Sequence, residues 1–301
     1  MIKRVILDVD TGIDDMVATI MAAKSESLKI EGVIATAGNQ PLTKTMNNTL
    51  SVCQQLQLDV PVFAGAAAPL VKKPHCAPHI HGEDGLGGVV FPPLEKKGET
   101  LHGVLFLIET IRANPHEITV IATGPLTDIA LAFSIAPDII GLIDSLVIMG
   151  GALKGGNVTT HAEFNFFYDG EAAQIVLSSG APVVLVPLDV TSRVRISEDR
   201  LKRYEQVENQ VIRMMCTSLR FYQKAYAHNG LEDPIIHDAV CIAYAIDPRM
   251  FSGNLMDVSV TCSYDEWYGN LKAADSINSS VFVTTGIDTA RFFRLFDDLL
   301  L

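Results

Sequence analysis

Short aliphatic, β-branched runs recur along this chain, each separated from the next by a helix-length stretch, and that alternation constrains the fold more than any other feature. KRVILDV (3–9) predicts a buried strand and IDDMVATIMAAKSES (13–27) a helix, its first turn acidic where the helix dipole favours negative charge. KIEGVIATA (29–37), LTKTMNNTLSVCQQLQL (42–58) and VPVFAG (60–65) continue as strand, helix and strand. An irregular stretch rich in Pro, Gly and His fills 66–98. The pattern resumes with LHGVLFLIETIRAN (101–114), ITVIATG (118–124), PLTDIALAFSI (125–135) and SLVIMGG (145–151), then EAAQIVLSSG (171–180) and VVLVPLDV (183–190). Beyond 197 the text is more helical, with 208–227 the longest helix, MDVSVTC and SVFVTTGI as late strands, and a last helix near 288–300. Apolar strands alternating with helices predict an α/β fold: an open, mostly parallel, Rossmann-like sheet covered on both faces. With no linker or internal repeat, residues 1–301 read as a single domain.

In such sheets ligands sit outside the carboxyl ends of the strands. The residues there are Asp8 to Asp15, Asn39, Thr123–Gly124, Met149–Gly150–Gly151 and Asp189, enough oxygen to line one crevice. DVDTGIDD is the densest part, with Asp8, Asp10, Asp14 and Asp15 in eight positions although like charges repel. Three readings stand side by side: a hard-cation site built of carboxylates, a phosphoryl-transfer site of the D-x-D kind, or an acidic helix start that only balances the dipole.

HCAPHIHGEDGLGG (75–88) holds His75, His79 and His81. It suggests zinc less than a surface loop, because no Cys or His pair elsewhere has matching ligand spacing; a loop that folds over a ligand on its glycines is the third reading. Glu163 and Asn165 flank Phe164, so an extended chain would turn both polar groups to one face, suited to hydroxyl recognition. The alternative is an ordinary connection. His237 and Asp238 open the apolar helix of PIIHDAVCIAYAI, where Asp238 is a natural N-cap.

A net charge of −12, from 35 acidic and 23 basic residues, argues against nucleic acid or an anionic membrane as partner. No apolar stretch is long enough for a membrane span or a signal peptide. The five cysteines, at irregular spacing and without C-x-x-C, read as free thiols in a reducing compartment, so a cytoplasmic protein is expected.

The segments also occur in a telling order: D-x-D-x-x-x-D-D, AGNQ (37–40), HGEDGL (81–86), ATGPLT (122–127), VIMGGA (147–152), GNVT and AEFN (156–165), and HDA (237–239). From residue 5 to about 248 the chain resembles the inosine/uridine-preferring nucleoside hydrolases, the calcium-dependent N-ribohydrolases, and most nearly their bacterial pyrimidine-favouring members. The resemblance implies Ca²⁺ held by Asp10, Asp15, the Thr123 carbonyl and Asp238, with Asp10 also the general base on an attacking water that the cation acidifies. It implies a ribose gripped by Asp14, Asn39, Met149 (through its backbone), Asn157, Glu163, Asn165 and Asp238, with Phe164 beside them. His237 resembles the histidine that protonates the departing base, and His81 a second histidine near it. Tyr226 is the aromatic expected to stack on the base, with core packing as its alternative. The implied ligand is a ribonucleoside and the implied assembly a homotetramer or homodimer.

Departures from the family text are Asp128 where Asn is usual, GNVTT without its proline, DGEAA for DPEAA, and a C-terminal SINSSVFVTTG that leaves the packing there open. Two rivals remain at this point. A magnesium-dependent aspartate-nucleophile phosphohydrolase needs an acidic pair after Lys154, and none follows. A non-catalytic nucleoside- or calcium-binding module would lack the base and the acid, and Asp10 and His237 are both present.

Overall fold

The computed structural model describes residues 2–228 and 233–301, without the side chains of His79, Tyr226 and His228. Its strands are β1 (Lys3–Val9), β2 (Leu28–Ala35), β3 (Val62–Ala64), β4 (Ile118–Ala122), β5 (Ser145–Met149), β6 (Val183–Val186), β7 (Phe251–Val260), β8 (Leu271–Asp275) and β9 (Val281–Ile287). They form one nine-stranded sheet in the order β3-β2-β1-β4-β5-β6-β9-β7-β8. All pairings from β3 to β9 are parallel, and β7 runs antiparallel to both β9 and β8. The expected open, mostly parallel α/β sheet is the one observed.

The helices that matter for the site are α1 (Ile13–Lys24), α2 (Leu42–Gln55), α3 (Pro78–His81), α4 (Gly103–Ala113), α5 (Thr127–Ile135), α6 (Phe164–Tyr168), α7 (Gly170–Leu177), α8 (Leu188–Thr191), α9 (Glu198–Glu205), α10 (Gln210–His228), α11 (Ala239–Ile246) and α12 (Thr289–Leu300). The period-2 alternation of β1 divides its side chains between two cores. Val5, Leu7 and Val9 pack with α1, α10, α11 and α12, while Ile6 joins α4, α5 and α7 on the opposite face. Asp8 has the parity of Ile6, so it points away from α1 and toward the α5 side.

Element boundaries shift by a few residues, but three differences have physical causes. Residues 164–168 form a helical turn instead of an extended chain, because Glu163 caps it by accepting from the Asn165 and Phe166 N–H groups. β8 was not expected, and β7 begins at Phe251 and not at 256. Both belong to an exposed edge whose alternation is only partly apolar, so the hydrophobic period is weak there. α8, α9 and α3 are short and depend on tertiary contacts.

Candidate active site

β1 and β4 are parallel neighbours, but the next strand, β2 after β1 and β5 after β4, is added on opposite sides, and the crevice at their carboxyl ends is where a ligand is expected. Asp10 leaves β1 there, Gly12 caps α1, and Asp14 and Asp15 fill the first turn of that helix. Asp15 is fixed from three sides: its carboxylate accepts from the Gly12 N–H at 2.9 Å, the Thr123 hydroxyl at 2.7 Å and the Asn39 amide at 3.3 Å. Asp10 accepts from the Asn39 backbone N–H at 2.7 Å. That approach requires glycine at 38, since a Cβ there would lie 2.1 Å from Asp10 Oδ2. Gly12 is confined in the same way, by His81 Nδ1 at 2.6 Å from its Cβ position.

Asp238 stands at the N-cap position of α11, yet its side chain makes no cap hydrogen bond. The expected capping role is therefore absent; instead the carboxylate joins Asp14 and Asp15 in a buried set whose oxygens lie within 4.8 Å of one another. Asp14 Oδ1 is buried without a hydrogen-bond partner among the described residues. Burial, then mutual repulsion, pushes the carboxyls of Asp10 and Asp238 well up, and burial and Asp15 bring Asp14 to about 8. Burial raises Asp15 as well. Carboxylates this dry and this close want a cation, and hard oxygen donors suit a calcium-like one.

The group of three differs from the ligand set implied by resemblance. Asp10 lies beside Asp15 and outside the mutual set. The Thr123 carbonyl accepts from Asn165 Nδ2 at 2.8 Å, which leaves it a second lone pair.

The sugar-side residues form a connected layer. Asn165 also donates to the Met149 carbonyl at 3.1 Å. Glu163 accepts from the Gly151, Asn165 and Phe166 N–H groups at 2.9, 2.8 and 3.1 Å, and burial still lifts its carboxyl to about 7. Asn157 Oδ1 accepts from the Phe164 N–H at 3.0 Å. The outer side of this loop is held by the C-terminal segment, whose packing the sequence left open. Trp267 stacks on His161 at 3.7 Å between ring centroids, and Asn270 bridges to Ala162 and donates to the His161 carbonyl.

In the same crevice His81 is buried on α3 and accepts at Nδ1 from the Ile13 N–H at 3.2 Å. The surface-loop reading of this histidine is thus corrected: the stretch folds back onto α1. His81 lies 4.0 Å from Asp14 and faces Tyr222 with 5.4 Å between rings. His237 lies buried with Nδ1 2.7 Å from the Thr191 hydroxyl, and burial, then Arg195, lowers its pKa to about 4. Tyr226 lies on α10, but its side chain is outside the described residues. Tyr222, one turn earlier, is the aromatic that lines the cavity.

A cavity of about 600 Å³ unites these groups: Asp10, Asp14, Asn39, Thr123, Met149, Asn157, Glu163, Phe164, Asn165 and Asp238 line it together with Ile80, His81, Tyr222 and His237. Asp15 lies under that floor, and Thr191 stands behind His237. From the sequence neither Thr191 nor Tyr222 is singled out; Tyr226 is the aromatic named instead. Helical spacing signals that Tyr222 shares a face with Ser218 and Leu219, both buried, while nothing local marks Thr191.

An open α/β sheet whose strand ends meet in a crevice lined by buried carboxylates, amides and two histidines defines an α/β class with a small-molecule site at its strand ends. A family model described as inosine-uridine preferring nucleoside hydrolase matches residues 5–294. The pyrimidine-specific ribonucleoside hydrolase RihB of Escherichia coli O9:H4 (strain HS) is 38% identical over 303 residues, covering 98% of this chain and 96% of the relative. Among solved structures, the purine-preferring ribonucleoside hydrolase from Gardnerella vaginalis superposes with a TM-score of 0.94 at 28% identity, covering 99% of this chain and 98% of that one. A plant nucleoside hydrolase, the PpNRh1 enzyme, gives 0.95 at 27% identity with the same coverage. The chain belongs to the inosine-uridine preferring nucleoside hydrolase family and is a ribonucleoside hydrolase, an enzyme of N-glycosidic bond cleavage.

Proposed function

We propose that the chain is a calcium-dependent hydrolase of pyrimidine ribonucleosides, uridine and cytidine, releasing ribose and free base. The observation that carries this reading is the cavity that buried carboxylates and two buried histidines line together. The pyrimidine preference follows the relative at 38% identity.

Asp14, Asp15 and Asp238 would hold the cation, with Asp10 and the Thr123 carbonyl as further oxygen donors. When bound, the ion supplies acidification and orientation of the attacking water. Asp10, positioned by the Asn39 N–H, takes the proton. Asp14, Asn39, Asn157, Glu163, Asn165, Asp238 and the Met149 backbone grip the ribose, with Phe164 against it. Breaking the N-glycosidic bond leaves positive charge on the sugar ring, in an oxocarbenium-like state. Oxygens already fixed by backbone N–H groups stabilise that charge without rearranging, as the three bonds to Glu163 illustrate. On the other side His237 and His81 receive the departing base, with Tyr222 as its aromatic wall and Tyr226 further along α10.

A dimer or tetramer is part of the same proposal and rests on the family resemblance; light scattering on the purified protein measures it. A reducing, cytoplasmic setting accords with five cysteines that form no disulfide. No helix among the described residues is long and apolar enough to cross a membrane.

The test is release of base and reducing sugar from uridine, cytidine and inosine, with calcium and after chelation, using Asp10→Asn as control. Calcium-dependent release, fastest from the pyrimidines and lost in the variant, is expected. Release fastest from inosine would overturn the base preference alone. No release from any nucleoside by a calcium-loaded protein would overturn the enzymatic reading for these substrates.

A further inference from the structure

The Thr191 side chain is fully buried at the end of α8, and its one hydrogen bond among the described residues is the 2.7 Å contact to His237 Nδ1. A threonine hydroxyl carries one O–H donor and two lone pairs. Its lone pairs can go unused at modest cost, but a buried O–H that finds no acceptor loses its whole hydration without return. Nδ1 is the acceptor in reach, so Thr191 donates, and a ring nitrogen that accepts carries no proton. The proton of the imidazole is then on Nε2. Since Nδ1 is occupied by Thr191, any hydrogen bond from His237 to a molecule in the cavity it lines runs through Nε2.

We infer that Thr191 is a positioning residue: its hydroxyl holds His237 as the Nε2–H tautomer, so that the ring presents a donor, not a lone pair, to the departing base. The inference rests on the proposed nucleosidase reading of this cavity. Its chemical sense is direct. As the C1′–N1 bond breaks, the bonding electron pair passes to the base and spreads onto its carbonyl oxygens, which are acceptors. An N–H aimed there stabilises the leaving anion, whereas a lone pair would repel it. No proton has to leave the ring; the freed base takes its proton from water. With the opposite tautomer the same histidine would oppose departure.

Thr191→Val removes the donor at nearly constant volume, and Thr191→Ser restores it. The assay compares uridine with p-nitrophenyl β-D-ribofuranoside, whose leaving group departs as a stable anion and needs no donor. For Thr191→Val we expect kcat on uridine to fall about 100-fold, with KM and kcat on the p-nitrophenyl riboside within about twofold. Thr191→Ser should recover most of the uridine rate. In parallel, NMR of the wild-type protein labelled with ¹⁵N-histidine should show His237 protonated at Nε2 and bare at Nδ1, a readout that needs neither turnover nor a variant. A wild-type spectrum with the proton on Nδ1 overturns the inference, and so does a valine variant that slows both ribosides equally or neither. If the wild type cleaves neither riboside with calcium present, the nucleosidase reading fails, and the spectrum still decides the tautomer.

Discussion

Asp10, Asp14, Asp15, Thr123 and Asp238 are all buried, and each is placed by a strand end or the first turn of a helix. The residues of the same cavity that the proposed reading gives to the base end differ: His75 is exposed, Ile80 and His81 ride on a four-residue helix, and Tyr222 projects from α10. The segment carrying His81 runs on through Gly82, Gly85, Gly87 and Gly88, all with φ between 69° and 88°. The first group is held by strand ends and helix starts; the second is carried largely by a loop and a short helix, pinned by the Ile13 N–H to His81 and by contact with α10. On the proposed reading this difference separates the two parts of the reaction: the carboxylate end would deal with what every ribonucleoside shares, and the histidine end with what distinguishes one base from another.

The sharpest way to break this division is one variant read on three substrates. Asp10→Asn should lower kcat about a thousandfold, and by the same factor for uridine, cytidine and inosine. Unequal factors would show that the carboxylate end also discriminates among bases.

Metal removal comes next in size. The carboxyls of Asp14 and Glu163 are raised to about 8 and about 7 by burial, and Asp10, Asp15 and Asp238 are raised as well. Unfolded, the same groups titrate near 4. Between these values the folded state binds more protons, so stability of the calcium-free protein falls as pH rises through about 4 to 8. Calcium needs the ionised carboxylates, and at a hundredfold over its Kd it adds about 2.7 kcal/mol. Melting curves should therefore separate more widely at pH 8.5 than at pH 5.5 on adding calcium. Calcium-free protein that melts higher at pH 8.5 than at pH 6 would contradict the description of this end.

At the base end the expected effect is smaller and selective. Tyr222→Leu keeps bulk while removing the ring, and should cost about 1 kcal/mol of stacking, roughly fivefold in kcat/KM. The ratio of uridine to inosine hydrolysis should change with it. An unchanged ratio would return Tyr222 to core packing.

The same contrast explains what was legible in the sequence. Strand ends follow from hydrophobic period, so Asp10, Asn39, Thr123 and Met149 could be placed around one crevice before any coordinates. Glu163 and Asn165 were grouped correctly by an argument that fails in detail: they converge because Glu163 caps α6, not because the chain is extended. Asp238 looked like a cap from its position and was a metal ligand only by family resemblance; the structure turns its carboxylate toward Asp14 and Asp15. The base end resisted because its residues meet across about 140 positions, His81 against Tyr222, with no local period linking them. Trp267, outside every motif, braces the sugar-side loop by the same kind of distant contact.

Asp8 and Asp128 give the smallest predicted effect and the finest test of how the carboxylate end is supported. Strand parity turns Asp8 away from the cavity toward α5, where neither of its oxygens has a hydrogen-bond partner among the described residues. Burial and then the charge of Asp128 push its carboxyl well up. Asp128 accepts from the Ala66 N–H at 2.8 Å with one oxygen, and burial brings it to about 7. Gly65 leaves no space for change of shape, since a Cβ there would lie 2.0 Å from Asp128 Oδ2. Asn has the shape of Asp and keeps the acceptor for Ala66, but it carries no charge. Above pH 7 Asp128 must ionise beside Asp8, so its folded pKa, raised over an unfolded value near 3.8, lowers stability as pH climbs through that window. Asp128→Asn should accordingly stabilise the protein by about 1 kcal/mol at pH 8.5, a rise of roughly 1–2 °C in Tm for a chain this long, and by clearly less at pH 5, where the folded carboxyl is still neutral and only the unfolded one has ionised. Equal gains at both pH values would mean that the amide's new donor, and not the lost charge, is what the site lacked.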